Sequence, residues 1–271
     1  MDEEELLDKA RKAVSERADL PGMSLIEHLE ELRRRLIHAV VYLIAGFCVA
    51  YGFHEKIYRL MQAPITFALK KHNLPTKLVI HNPVDGFNMY LKISFMAGCI
   101  IAAPFILYQA WLFISPGLYK NEKKYVMPFM LATVSLFLGG AYFGYRWVFP
   151  GSLDFLFTYS HDFQPLIEVS EYTDLFLTVI LGLGIAFELP IFVLFLSLFG
   201  IVSPKFLWKN IRFAVLIVFI IAAIITPTPD PLTMCVFALP LLALYVISIG
   251  VSFMVHPATR RRRKEIEESR G

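Results

Sequence analysis

Residues 175–199 read LFLTVILGLGIAFELPIFVLFLSLF, a run of 25 residues whose one charge is Glu188. A stretch this apolar predicts a membrane-crossing helix, because about 20 residues are needed to cross a hydrocarbon core roughly 30 Å thick. A carboxylate near its midpoint costs about 2.5–3.5 kcal/mol or more on insertion scales. Glu188 is therefore either a functional site with a partner inside the protein, or a protonated or hydrogen-bonded group that ties one helix to its neighbours.

The rest of the chain has the same character. Hydrophobic residues make up 56% and charged residues 18%, and the charges fall in blocks instead of being spread over helix faces. Uncharged stretches run over 36–53, 93–115, 125–145, 175–199, 213–226 and 232–255, with Glu188 the one interruption. The period-two alternation of a membrane barrel is missing. These features predict an all-α membrane protein with six transmembrane helices, without room for a separate soluble module. The expected organisation is a polar, flexible N-terminal extension over 1–22, a membrane domain over 23–255 and a basic cytoplasmic tail over 256–271.

About 35 polar residues precede the first apolar run, which is not the layout of a cleavable signal peptide. With the N-terminus in the cytoplasm, six spans return the C-terminus there. The inside segments then hold 19 Lys and Arg and the outside segments 7, the bias expected of cytoplasmic loops. The net charge of +3 thus reports topology, not nucleic-acid binding. Cys48, Cys99 and Cys235 lie in apolar runs with no metal or disulfide spacing; no metal and no cofactor are expected.

Span lengths differ. The stretch 213–226 holds 14 residues before the Pro-rich segment 226–231, about 21 Å of helix. Helices five and six are accordingly expected to be short, either thinning the bilayer locally or forming a hairpin that does not fully cross. Prolines inside the spans, Pro104, Pro128, Pro190 and Pro240, free backbone groups that neighbours must satisfy. They predict kinked, concave packing. The outer segments 54–86 and 150–174 carry Pro64, Pro75, Pro83, Pro150 and Pro165. Their length predicts short helices forming an ordered cap.

On the inner face, Ser24 and Glu27 form a capping-box pattern, so a helix should start at Leu25 and run into span one. Glu27 and Glu31 share a face, and Glu31–Arg35 is an i,i+4 pair. The pattern fits a self-paired surface turn as well as a binding site. A second acid, Glu122, lies in the short loop between spans two and three, at the same membrane level. Two carboxylates so placed can clamp two guanidinium groups, since arginine and carboxylate make short bidentate pairs.

Several motifs occur in order: EHLEELRRR at 27–35, Ala63-Pro64, APFILYQ at 103–109, PGLYKNE at 116–122, GIAFELP at 184–190 and TPTPD at 226–230. In order and spacing they resemble the TatC family, the multi-span receptor of the twin-arginine protein translocase, over Ser24 to about Val255. The resemblance implies a receptor, not an enzyme. It would bind twin-arginine signal peptides of folded proteins on the cytoplasmic side of the inner membrane and oligomerise with itself. Assembly with single-span TatA- and TatB-type partners and transport driven by the proton-motive force are also implied. By motif match Glu31 and Glu122 receive the arginine pair, Phe113 and Leu118 line the adjoining groove, and Arg33 belongs to the same site. Pro64 is linked to the shape of the outer cap, Glu188 is the intramembrane contact for partners or the inserting signal hairpin, and Asp230 is the acid of the outer turn between spans five and six.

Rival classes are weaker. A proton-coupled solute transporter would also use a buried Glu188, but such folds carry paired repeats with matching broken helices, and the Phe-Glu-Leu-Pro pattern has no second copy. A channel needs a filter or a polar ring. An intramembrane enzyme would show HExxH or GxSxG, and neither is present. His28 and His38 read as interface or core histidines.

Overall fold

A computed structural model describes residues 25–114, 126–159, 163, 165–198, 200–226 and 231–255. Among them ten α-helices run in chain order. They are α1 (Leu25–Gly52), α2 (His54–Lys71), α3 (Asp85–Ile114), α4 (Val126–Phe143), α5 (Phe149–Tyr159), α6 (Val169–Ala186), α7 (Leu189–Leu198), α8 (Pro204–Lys209), α9 (Ile211–Ile225) and α10 (Pro231–Val255). A π-helical turn, Gly144–Val148, joins α4 to α5. Five helical runs are long and apolar enough to cross a bilayer: Ile26–Gly52, Asp85–Phe113, Met127–Tyr159, Val169–Leu198 and Met234–Met254. Ile211–Ile224 is a shorter apolar helix. Five full spans and one short one make up the all-α bundle.

The described part of α1 opens at Leu25, and Ser24, the expected cap, lies outside the described residues. α3 is the spine, with α1, α2, α4 and α6 packed against it. α1 lies on α3 through small residues. A Cβ added to Gly46 would fall 2.7 Å from the Gly98 carbonyl oxygen and 3.2 Å from Ala102 Cβ. One added to Gly98 would lie 2.7 Å from the Phe47 amide nitrogen. The two backbones therefore touch, as helices do in lipid where packing, not hydrophobicity, drives association. The rest of α1 is largely uncovered, with Ile37, Val40, Val41, Ile44 and Val49 exposed. That is the expected state of a face turned to acyl chains.

The end of the bundle where α1 finishes is closed by a cap, as the Pro-rich segments predicted. α2 buries Met61, Pro64, Ile65, Ala68 and Leu69, a helical stripe on one side. Pro64 has no N–H, so the Leu60 carbonyl four residues back loses its helical donor. Tyr145, in the π turn, donates its hydroxyl to that oxygen at 3.0 Å, and buried Tyr172 of α6 donates to the neighbouring Met61 carbonyl at 2.6 Å. Lys71 and His72 reach Asp154 of α5 at 2.7 and 2.8 Å. A parallel bridge, Val79 to Glu168, joins the two loop segments: Val79 N donates to the Ile167 carbonyl and Val169 N to the Val79 carbonyl, each at 2.9 Å.

Two expectations are corrected. Residues 175–199 do not form one continuous helix: α6 ends at Ala186, a turn holds Phe187 and Glu188, and α7 begins at Leu189. Glu188 N donates to the Ile185 carbonyl at 3.0 Å, three residues back instead of four. Pro190 removes the donor that would have extended the ladder. Helix six is not short either. α10 covers 25 residues, about 37 Å, with Pro240 accommodated inside it, so only helix five (α9, 15 residues) is short. α10 is anchored along its length by Ser197–Ser252 at 2.7 Å and by Tyr245 donating to the Leu207 carbonyl at 2.9 Å.

Candidate functional site

The end opposite the cap, formed by the first described turns of α1 and the last of α3, holds a polar cluster. Glu31 lies in the second described turn of α1 and is 6% exposed. Arg35, one helical turn on, donates Nη2–H to Glu31 Oε1 at 3.1 Å, the i,i+4 pair foreseen from sequence. Its other terminal nitrogen reaches across to α3, where Nη1 donates to Gln109 Oε1 at 3.3 Å. Gln109 is also 6% exposed. One guanidinium thus spans two acceptors on two helices.

The cluster is incompletely paired. Glu31 Oε2 and Arg35 Nε are both buried and have no hydrogen-bond partner among the described residues. A buried polar group left unpaired costs about 1–3 kcal/mol, more when charged. The arrangement therefore leaves a carboxylate oxygen available to an added donor.

Near it α1 and α3 meet through one ring pair, with a buried aromatic cluster behind. His28 of α1 stacks on Phe113 of α3, ring centroids 4.5 Å apart and planes 22° off parallel. Trp111 packs against Phe129 and Phe195 and donates Nε1–H to Thr133 Oγ1 at 3.2 Å. The structure therefore brings together Glu31 and Phe113, with Arg33 exposed on α1 nearby in sequence. Glu122 and Leu118 of the same expected site, and Asp230 of the far turn, lie outside the described residues. Pro64 sits in the cap, away from this end.

Glu188 occupies a separate place, at the α6–α7 break. It is half-buried, and its Oε1 is buried without a partner. No ion pair holds it among the described residues. The close crossing beside it is set by Gly140 of α4, where a Cβ would lie 2.7 Å from the Leu183 carbonyl oxygen and from Phe187 Cβ. Among the described residues no group of three or more His, Cys, Asp or Glu could hold a metal ion.

Sequence reasoning missed Gln109 and the reach of Arg35 across the helix pair. The available signal was a lone carboxamide inside the uncharged stretch 93–115. His28, expected to be an interface or core histidine, is exposed and stacks on Phe113 at the α1–α3 interface.

The family model for the Sec-independent protein translocase protein TatC matches residues 27–240. A TatC protein of Koribacter versatilis (strain Ellin345) is 58% identical over 263 residues, covering 97% of each chain. One of Helicobacter pylori (strain J99 / ATCC 700824) is 39% identical, over 89% of this chain and 93% of its own. The crystal structure of the twin-arginine translocase receptor TatC shares 37% identity at a TM-score of 0.76, over 84% of this chain and 99% of that one. Since the match takes in the start of α1, the whole of α3 and the break at Glu188, this integral membrane chain belongs to the TatC family, a transport component, not an enzyme, that works with the other subunits of the Sec-independent, twin-arginine translocase.

Proposed function

We propose that this chain is the receptor subunit for twin-arginine signal peptides, taking folded precursors on the cytoplasmic side of the inner membrane. The observation that carries this reading is the buried Glu31 carboxylate, one oxygen of which has no donor. An incoming guanidinium supplies the missing N–H in a short charge-assisted bond. Glu122 is the second acid of the pair, while Phe113 and Leu118 give the apolar residues after the arginines a surface, and Arg33 completes the rim. Both termini lie in the cytoplasm and the α2 cap faces outward, consistent with the 19-to-7 distribution of basic residues.

The test is direct. Photocrosslinkers placed at 31, 113 and 122 in the full chain should capture a twin-arginine leader and should capture its Lys–Lys counterpart poorly. Cysteine accessibility should report residue 122 from the inside and residue 165 from the outside. Equal capture of the two leaders would overturn the receptor role, and the reverse accessibility pattern would overturn the orientation.

Glu188 is the intramembrane contact for TatA- or TatB-type single-span partners or for the inserting signal hairpin, with transport driven by the proton-motive force. Its unpartnered Oε1 at a helix break supports this reading. Glu188→Ala should insert and fold normally, because no ion pair among the described residues is lost. It should reduce export severalfold and weaken co-purification of a single-span partner. Normal export by this variant would leave Glu188 a structural residue.

A further inference from the structure

The Glu31 site is not vacant in the unliganded chain, because it already holds a guanidinium. We propose that Glu31 and Gln109 form a guanidinium-shaped slot that Arg35 fills at rest. A signal-peptide arginine would then bind by exchange with Arg35, and this exchange sets the discrimination against lysine. The inference rests on the reading of Glu31 as the receptor acid and adds to it the state from which binding starts.

Three observations carry it. First, the two acceptors are on different helices, Gln109 lying 74 residues from Arg35 in sequence and Glu31 four, and each takes a different terminal nitrogen of one planar group. A guanidinium presents N–H donors in a fixed fork that can bridge such a pair, whereas an ammonium is a compact point donor on a flexible stem. Second, the acceptors are buried while the occupant is partly exposed: the Glu31 side chain is 7% exposed and that of Arg35 25%. The slot belongs to the bundle, and the group in it can leave along its own long apolar stem toward water and headgroups. Third, the fit is imperfect, because Arg35 Nε and Glu31 Oε2 are both buried and unpaired. An arginine arriving from outside the helix is not tethered four residues from Glu31. It can approach the carboxylate along a direction that satisfies both oxygens, which the i,i+4 geometry denies to Arg35.

Electroneutrality then supplies the selectivity. Glu31 with Arg35 in place is a neutral pair, so a cation approaching the filled slot gains little from charge alone. Only a ligand that reproduces the bridge to Glu31 and Gln109 recovers what Arg35 gives up. The occupant acts as a built-in competitor, the repulsive element that specificity commonly requires alongside the attractive one.

Binding of twin-arginine and Lys–Lys leader peptides to the full chain in nanodiscs tests the proposal. In Arg35→Gln the slot is left with an uncompensated carboxylate. Binding of the Lys–Lys peptide should rise relative to the twin-arginine peptide, narrowing their affinity ratio at least about tenfold, the scale of one hydrogen bond to a charged group. Arg35→Lys keeps the charge without the fork and should narrow the ratio by an intermediate factor. An unchanged or wider ratio overturns the proposal. So does a parallel fall of both affinities, which would make Arg35 a mere support for Glu31. Should Arg35→Gln not yield folded protein, Arg35→Lys decides alone, a narrowed ratio supporting exchange and an unchanged one overturning it. Glu31→Gln with Arg35 intact is the separate arm: undiminished twin-arginine binding there would refute the receptor reading itself, whatever the Arg35 variants do.

Discussion

Glu31→Gln should lower the affinity for a twin-arginine leader at least about thirty-fold while leaving a folded, membrane-inserted protein. Truncating one member of a buried charged hydrogen-bond pair costs about 2–5 kcal/mol, and about 2 kcal/mol already corresponds to that factor. Gln keeps the shape and one acceptor oxygen, so Arg35 retains a weaker partner beside Gln109, and its partly exposed side chain can reach water. The fold is therefore expected to survive, as size exclusion in detergent would show. Binding should suffer because a neutral amide cannot offer the second anionic oxygen that Glu31 holds in reserve. Unaltered affinity in a well-folded Glu31→Gln chain would remove the acid from the site.

Gly98→Leu is the second large effect, and it acts far from the chemistry. Even one added carbon at Gly98 would sit 2.7 and 2.8 Å from Phe47 backbone atoms, and backbone cannot step aside as a flexible side chain can. Overpacking of this kind costs about 1–3 kcal/mol and sometimes more. α1 has little other contact to hold it, since its remaining surface is mostly exposed. The expected result is an α1 displaced from α3, lowered thermal stability and loss of leader binding, because Glu31 on α1 and Gln109 on α3 no longer meet. Gly98→Ala should be intermediate. Gly139→Ala, where a Cβ would meet nothing within 4 Å, should leave both stability and binding intact. Wild-type binding by Gly98→Leu would show that the seam does not position the site.

The contrast between these two residues separates what was legible in the chain from what was not. Span positions followed from uninterrupted apolar runs, and the shortness of α9 from the distance between Arg212 and the Pro-rich turn. The importance of Glu188 was visible because a charge inside an apolar run is conspicuous. That it sits in a break between α6 and α7 was not read, although Pro190 two residues on carried the signal. The expectation of a short sixth helix extends the shortness of the 213–226 run to its hairpin partner, whereas α10 continues through Pro240 over 25 residues.

By itself the sequence determined the medium, most of the helix inventory, the ordered cap and the Glu31–Arg35 pair, since hydropathy and i,i+4 pairing depend on neighbours within a few residues. Only the tertiary structure decided that Gly46 and Gly98 would bring two backbones into contact. It alone placed the Tyr145 and Tyr172 hydroxyls on the carbonyls around the Pro64 kink, and Arg35 astride Glu31 and Gln109. Each of these joins residues tens of positions apart, and their meeting is set by how helices pack in three dimensions, which no local periodicity encodes.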